Sequence, residues 1–200
     1  MTRQLTTRWY RVQPIGVVRR PGIQPPDPEA YYDPAVETAL DILPRWADAL
    51  AGIETPTVLV PGNNETLDAL KEATAGWSAA TVLHGEGIEL DGKTFYGLGG
   101  GIPVTPWDWS FDLEEADAGN MLAGLPAGAV LVVHSPPKGH CDESGNGMSL
   151  GSTAILKAIE EKQPQLAVCG HIHEAWGKES KIGPTEVVNL GPSGRYFDLD

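Results

Sequence analysis

The sequence predicts an α/β fold with sheets flanked by helices, and two observations carry that reading. From Thr55 onward, short apolar runs alternate with segments of helical periodicity, as strands and helices packed in layers require. The runs at 57–61, 129–133 and 166–169 are almost wholly apolar, which suits central strands covered on both faces. A third observation points to function. Each of these runs ends in a ligand type: Asn63 after Gly62, His134, and the pair His171 and His173 in the string CGHIHE.

The elements follow in order. Residues 9–20 read as one strand or two, on the broken alternation of Val12, Ile15, Val17 and Val18. Pro21-Gly22 and the run 25–28 make a stiff loop. Val36, Leu40, Leu43, Trp46, Ala47 and Leu50 fit one helical face. Pro44 sits uneasily inside such a helix, so the pattern predicts a break at Leu43 and a new helix opening on Pro44. A strand at 57–61 then leads to a helix at 65–75, and strands follow near 81–84, 88–90 and 94–98. Asp91-Gly92 is the hairpin turn between the last two. A Gly- and Trp-rich loop precedes a helix at 112–123 and a strand at 129–133. Ser152 caps a helix carrying Ile155, Leu156 and Ile159, which stops near Pro164. Strands at 166–169, 185–189 and 195–199 complete the chain.

Composition narrows the function. The chain has 200 residues, enough for one domain of ordinary size, and is 41% hydrophobic, enough for a real core. Its net charge of −13 argues against nucleic acid as a partner held on a basic surface. Five arginines (Arg3, Arg8, Arg11, Arg19, Arg20) precede the first acidic residue, Asp27, which leaves 9 basic against 27 acidic residues in the rest. An acidic enzyme acting on phosphate esters needs local positive charge, and bound metal ions supply it. Cys141 and Cys169 lack CxxC spacing, so a cytoplasmic, reducing setting is expected. No apolar run reaches membrane-span length. Oligomeric state is not legible.

Ligands in open α/β sheets bind outside the carboxyl ends of the strands, where Asn63, His134, His171 and His173 all fall. In an extended segment, residues two apart project to the same side, so His171 and His173 are expected to address one region. Neutral imidazoles with an amide oxygen suit a divalent Mn, Fe or Zn ion. Gly62 allows the tight turn into Asn63, and Pro136-Pro137 stiffens the loop after His134. His84 and His140 have no partner motif and read as structural. Trp107 and Trp109 read as core packing, with the wall of a substrate pocket as the alternative. Gly97–Gly101 lacks dinucleotide spacing and reads as a loop needing positive φ.

VPGNNE, VHSPP and CGHIHE, in this order, resemble the later motifs of the calcineurin-like metallophosphoesterase superfamily. TFYGLGGGIPVTPWDWSFD and VVNLGPSGRY resemble one bacterial and archaeal branch of it. The resemblance covers about residues 55–200 and implies packed mixed β-sheets flanked by helices, with a dinuclear metal centre at strand ends. It implies that Asn63, His134 and His171 hold one metal and His173 the other. A metal-activated water would then hydrolyse a small phosphomonoester or phosphodiester substrate. Asn64 stands where many members carry a leaving-group histidine and is the candidate catalytic residue, able to donate a hydrogen bond but not to act as an acid.

The family's opening motifs, Asp-x-His and Gly-Asp, are missing, and Asp27, Asp33 and Asp41 lie in other local patterns. The fold is therefore expected to be incomplete at its N-terminal side, and the second metal to lack its acidic bridge. YRVQPIGVVRRPG and AVETALDILPRWADALAGIE resemble instead the start of a β-barrel family of S-adenosylmethionine-dependent tRNA (threonylcarbamoyladenosine) methyltransferases. The two resemblances divide the chain into an N-terminal segment, residues 1–54, and a partial phosphoesterase domain, residues 55–200. Two alternatives to a phosphoesterase stay open: a non-catalytic hybrid with a residual metal site, and a methyltransferase fragment.

Overall fold

The computed structural model describes residues 9–13, 17–19 and 39–199. The loop expected at 21–28, with Asp27 and Asp33, lies outside the described residues. The chain runs β1 (Trp9–Gln13), β2 (Val17–Arg19), α1 (Ala39–Leu50), β3 (Thr57–Leu59), α2 (Leu67–Thr74), β4 (Ala80–Val82), β5 (Glu86–Leu90) and β6 (Lys93–Leu98). It continues through α3 (Glu115–Leu122), β7 (Val130–Val133), α4 (Thr153–Lys162), β8 (Leu166–Cys169), β9 (Glu179–Ile182), β10 (Thr185–Asn189) and β11 (Arg195–Asp198).

The main sheet has the order β5-β6-β7-β8-β10-β9. β6, β7, β8 and β10 are parallel, and β5 and β9 close its two edges antiparallel. The apolar runs of β7 and β8 lie at its centre and are buried along their whole length. Alternation sorts their side chains. Leu131, Val133, Ala167 and Cys169 pack with Ala118, Leu122, Ile155 and Ile159 of α3 and α4. Val130, Val132, Leu166 and Val168 face Val58, Val60 and Leu83 on the opposite side.

β3 and β4 form a second, parallel pair, and β3 divides two cores by the same alternation. Val58 faces the main sheet, while Leu59 packs with Leu43, Leu50, Leu70 and Trp77 around α1 and α2. The layers are thus helix, sheet, sheet and helix. Gly97 of β6 lets the second sheet approach closely, because a β-carbon there would collide with Leu83 and Val60. β1 and β2 join β11 in a three-stranded antiparallel sheet, so this part of the N-terminal segment is laid against the last strand of the chain.

Local signals explain most boundaries. Thr66 caps α2 by accepting from the Ala69 amide at 3.2 Å. Asp91 (φ 53°) and Gly92 (φ 79°) both take the left-handed conformation, as a tight hairpin between β5 and β6 requires. Ser152 caps α4 at Ile155 N, and Gln163 ends it at φ 48° just before Pro164. The cap of α4 has a second part from elsewhere. Glu115, in the first turn of α3, accepts from Ser152 Oγ (2.8 Å), Thr153 N (2.9 Å) and Ala154 N (2.7 Å). Burial alone would raise its pKa, but these hydrogen bonds hold it below the usual glutamate value.

Three expectations are corrected. α1 is continuous through Pro44, because the proline lies on the exposed side while Leu43, Ala47 and Leu50 point inward. A carbonyl that loses its amide partner there can be hydrated. Within Gly97–Gly101 only Gly100 has positive φ, at 91°; Gly97 lies in β6, as the strand expected at 94–98 implies, and it, Gly99 and Gly101 make room for close neighbours. The short polar strand β9 was not expected at all.

Candidate metal centre at the strand ends

Asn63 lies four residues beyond β3, His134 one beyond β7 and His171 two beyond β8. Hydrogen bonds hold these strand ends together. Asn63 O accepts from Phe111 N at 2.9 Å, His134 N donates to Leu98 O at 3.1 Å, and Gly170 N donates to His134 O at 3.0 Å. Gly62 N donates to Glu65 Oε1 at 2.5 Å. A side chain at Gly62 would crowd both that carboxyl group and the His134 ring, so this glycine serves close packing as well as turning. Burial, opposed by the Gly62 amide, raises the Glu65 pKa.

Three of the four expected donors meet. His134 Nε2 is 3.1 Å from Asn63 Oδ1 and 3.0 Å from His171 Nδ1. Burial, helped by repulsion from His171 and His173 and opposed by Asp112, pushes the pKa of His134 down to about 3. Burial also lowers that of His171, although Asp112 pulls it up. Both rings are therefore neutral near pH 7, and neutral imidazoles are the form that binds metal. The spacing fits too. Donors about 2.1 Å from a shared ion sit about 3.0 Å apart along the edge of an octahedron.

His173 does not join them. β8 ends at Cys169, and the backbone then leaves the extended conformation: His171 has φ 66°. His173 opens a 3-10 turn, is exposed, and rests its ring 4.4 Å from that of Trp176. The turn is clamped by Asn189, whose Nδ2 donates to Gly170 O (3.1 Å), Ile172 O (3.1 Å) and Cys141 O (3.3 Å). Among the described residues, no three His, Cys, Asp or Glu side chains gather closely enough to hold an ion. The donor set is two imidazoles and one amide, and it fits one metal better than two.

Asp112 was missed by sequence reasoning. Its Oδ2 accepts from Thr105 N (2.7 Å) and Thr105 Oγ1 (2.6 Å), and its Oδ1 from Ser110 Oγ (2.6 Å). Burial would raise its pKa, but these hydrogen bonds and attraction to His171 bring it below the usual aspartate value. It supplies negative charge beside an otherwise neutral donor set. No spacing in the sequence announces it, because the loop is pinned to Asn63 only through tertiary contacts.

The remaining candidates fall outside the cluster. Asn64 is exposed beside Asn63. His84 Nδ1 accepts from Gly99 N at 3.2 Å, and His140 Nδ1 lies 2.7 Å from Ser180 Oγ; both support loops. Trp107 and Trp109 are not core residues. They are 52% and 59% exposed and stack on each other with ring centres 5.7 Å apart.

A family model described as calcineurin-like phosphoesterase matches residues 31–175. The chain belongs to that family. UPF0046 protein T07D4.2 of Caenorhabditis elegans is 35% identical over 133 residues, 61% of this chain and 31% of that protein. Metallophosphoesterase domain-containing protein 1 of Homo sapiens is 35% identical over 97 residues, 44% of this chain and 29% of that protein. The chain thus spans about a third of the length of the curated relatives it matches. The crystal structure of TT1561 of Thermus thermophilus shares the fold, with a TM-score of 0.63 and 19% identity over 83% of this chain and 77% of that one. The family match begins at residue 31 and so includes α1, within the segment that resembles a methyltransferase.

Proposed function

We propose that this chain is a metal-dependent phosphoesterase that hydrolyses a small phosphomonoester or phosphodiester with a single well-formed metal site. The observation that carries the reading is the meeting of Asn63 Oδ1, His134 Nε2 and His171 Nδ1 at 3.0–3.1 Å. Bound there, a divalent cation supplies a Lewis acid for phosphoryl oxygens and a source of nucleophile at neutral pH. Mn, Fe and Zn all suit two imidazoles and an amide oxygen.

The chain's own residues supply the surroundings. Burial keeps His134 and His171 unprotonated, and Asp112 offsets part of a dication's charge. Asn64, exposed and next to Asn63 in the chain, would donate a hydrogen bond to a substrate oxygen but cannot serve as a general acid. Leaving-group protonation therefore falls to water, which favours acidic leaving groups. The test is metal analysis after Mn²⁺ loading, with hydrolysis of p-nitrophenyl phosphate and bis(p-nitrophenyl) phosphate. About one Mn²⁺ per chain with turnover supports the reading. No Mn²⁺ uptake and no turnover rejects it in favour of a non-catalytic chain, and hydrolysis that survives both His134→Ala and His171→Ala rejects the metal assignment.

A further inference from the structure

Asn63 offers its site an oxygen only if its amide faces the right way, since a flip would present an NH₂ group that cannot bind a cation. The two ends of the amide are told apart by their partners. Asn63 Oδ1 faces His134, and Asn63 Nδ2 faces Ser110 Oγ at 3.2 Å. Ser110 spends its only proton on Asp112 Oδ1, 2.6 Å away, because an ionised carboxylate can only accept. Thr105 occupies the other carboxylate oxygen with two donors of its own. Ser110 therefore has only lone pairs to turn toward Asn63, and lone pairs accept from NH₂ but repel a carbonyl oxygen. Gly101 leaves room for this arrangement, since a β-carbon there would collide with Asp112 Oδ1.

We infer that Ser110 and Asp112 are positioning residues that fix the direction of the Asn63 amide, so that its oxygen and not its nitrogen faces the metal site. The inference rests on the metal reading above for its consequence, but not for its geometry. The relay runs in one direction, from the Asn63 NH₂ group to Ser110 and on to Asp112. Asp112→Asn reverses it, because an amide at 112 can donate to Ser110 and free the serine proton to attract Asn63 Oδ1. Ser110→Ala removes the acceptor altogether. Neither change removes a metal ligand.

The experiment has two readouts. In the metal-free protein, NMR of the Asn63 side-chain amide should find its protons protected from exchange in the wild type and unprotected in Ser110→Ala. Calorimetric titration with Mn²⁺ should then find affinity reduced about 10-fold or more in Ser110→Ala and Asp112→Asn, the range for groups that orient metal ligands. The decisive comparison is Ser110→Ala in an Asn63→Asp background, where both oxygens are alike and direction no longer matters; there the serine change should cost no affinity. An equal loss in both backgrounds, an undiminished affinity in Ser110→Ala, or unprotected amide protons in the wild type would overturn the relay. Protected amide protons in a wild type that takes up no Mn²⁺ would uphold the relay and overturn the metal reading instead.

Discussion

His171 and His173 stand two residues apart beyond the same strand, yet they occupy different chemical settings. His171 turns its Nδ1 to within 3.0 Å of His134 in a partly buried cluster of donors. His173 is exposed, with its ring against Trp176. The difference comes from the backbone. Same-side projection holds only while a chain stays extended, and this one leaves that conformation immediately after Cys169. The pair is split by the turn that Asn189 clamps, and of the two imidazoles His171 is the one that meets His134.

The largest expected effect tests that split directly. His171→Ala should weaken Mn²⁺ binding by more than about 100-fold, beyond what orienting groups contribute, while His173→Ala should change it no more than a few-fold. Equal losses in a calorimetric titration would break the comparison and make His173 a ligand as well. Next in size is Asn189→Ala. It leaves the carbonyls of Cys141, Gly170 and Ile172 without their shared donor, so urea unfolding should show a loss of about 2–3 kcal/mol, accompanied by weaker Mn²⁺ binding.

Asp142→Asn loosens the flanking loop that carries Cys141. Asp142 is buried and accepts from Gly139 N at 2.9 Å, Gly151 N at 2.8 Å and Ser149 Oγ. Burial would raise its pKa, but these bonds and nearby Lys138 hold it below the usual value. Its ionised form therefore stabilises the fold fully above the unfolded pKa of about 3.9. That contribution disappears as pH falls through the lower folded value. The variant should lose about 1–2 kcal/mol at pH 7, and thermal melts should show the gap to the wild type closing on acidification. The smallest effect belongs to Trp176→Ala. The side chain is 44% exposed, so its loss should cost about 1 kcal/mol and leave Mn²⁺ affinity unchanged. A drop in affinity would mean that the His173 side of the turn matters to the site.

The parts of this molecule legible from sequence are those governed by short-range rules. β7 and β8 announce themselves by apolar runs that only a twice-covered strand tolerates, and Ser152, Asp91-Gly92 and Pro164 mark element ends by local chemistry. His134 and Asn63 follow because strand ends in a parallel sheet converge. Asp112 and Ser110 were not legible, since they reach Asn63 from a loop far later in the chain, held by contacts that no periodicity encodes. Trp107 and Trp109 misled because aromatic residues usually pack inward, whereas here they cover one another. Pro44 misled because the rule against proline in helices is weakest on a wetted face.

The carboxylate of Glu115 joins two helices that are distant in sequence. Free amides at the start of α4 are satisfied by a residue in the first turn of α3, so the start of α4 is not complete without α3. Local fraying of α4 from its first turn is thereby tied to undocking of α3. In folding terms the pair forms one cooperative unit, and slow deuterium uptake at Thr153 and Ala154 would time the assembly of the whole helical layer rather than of one helix.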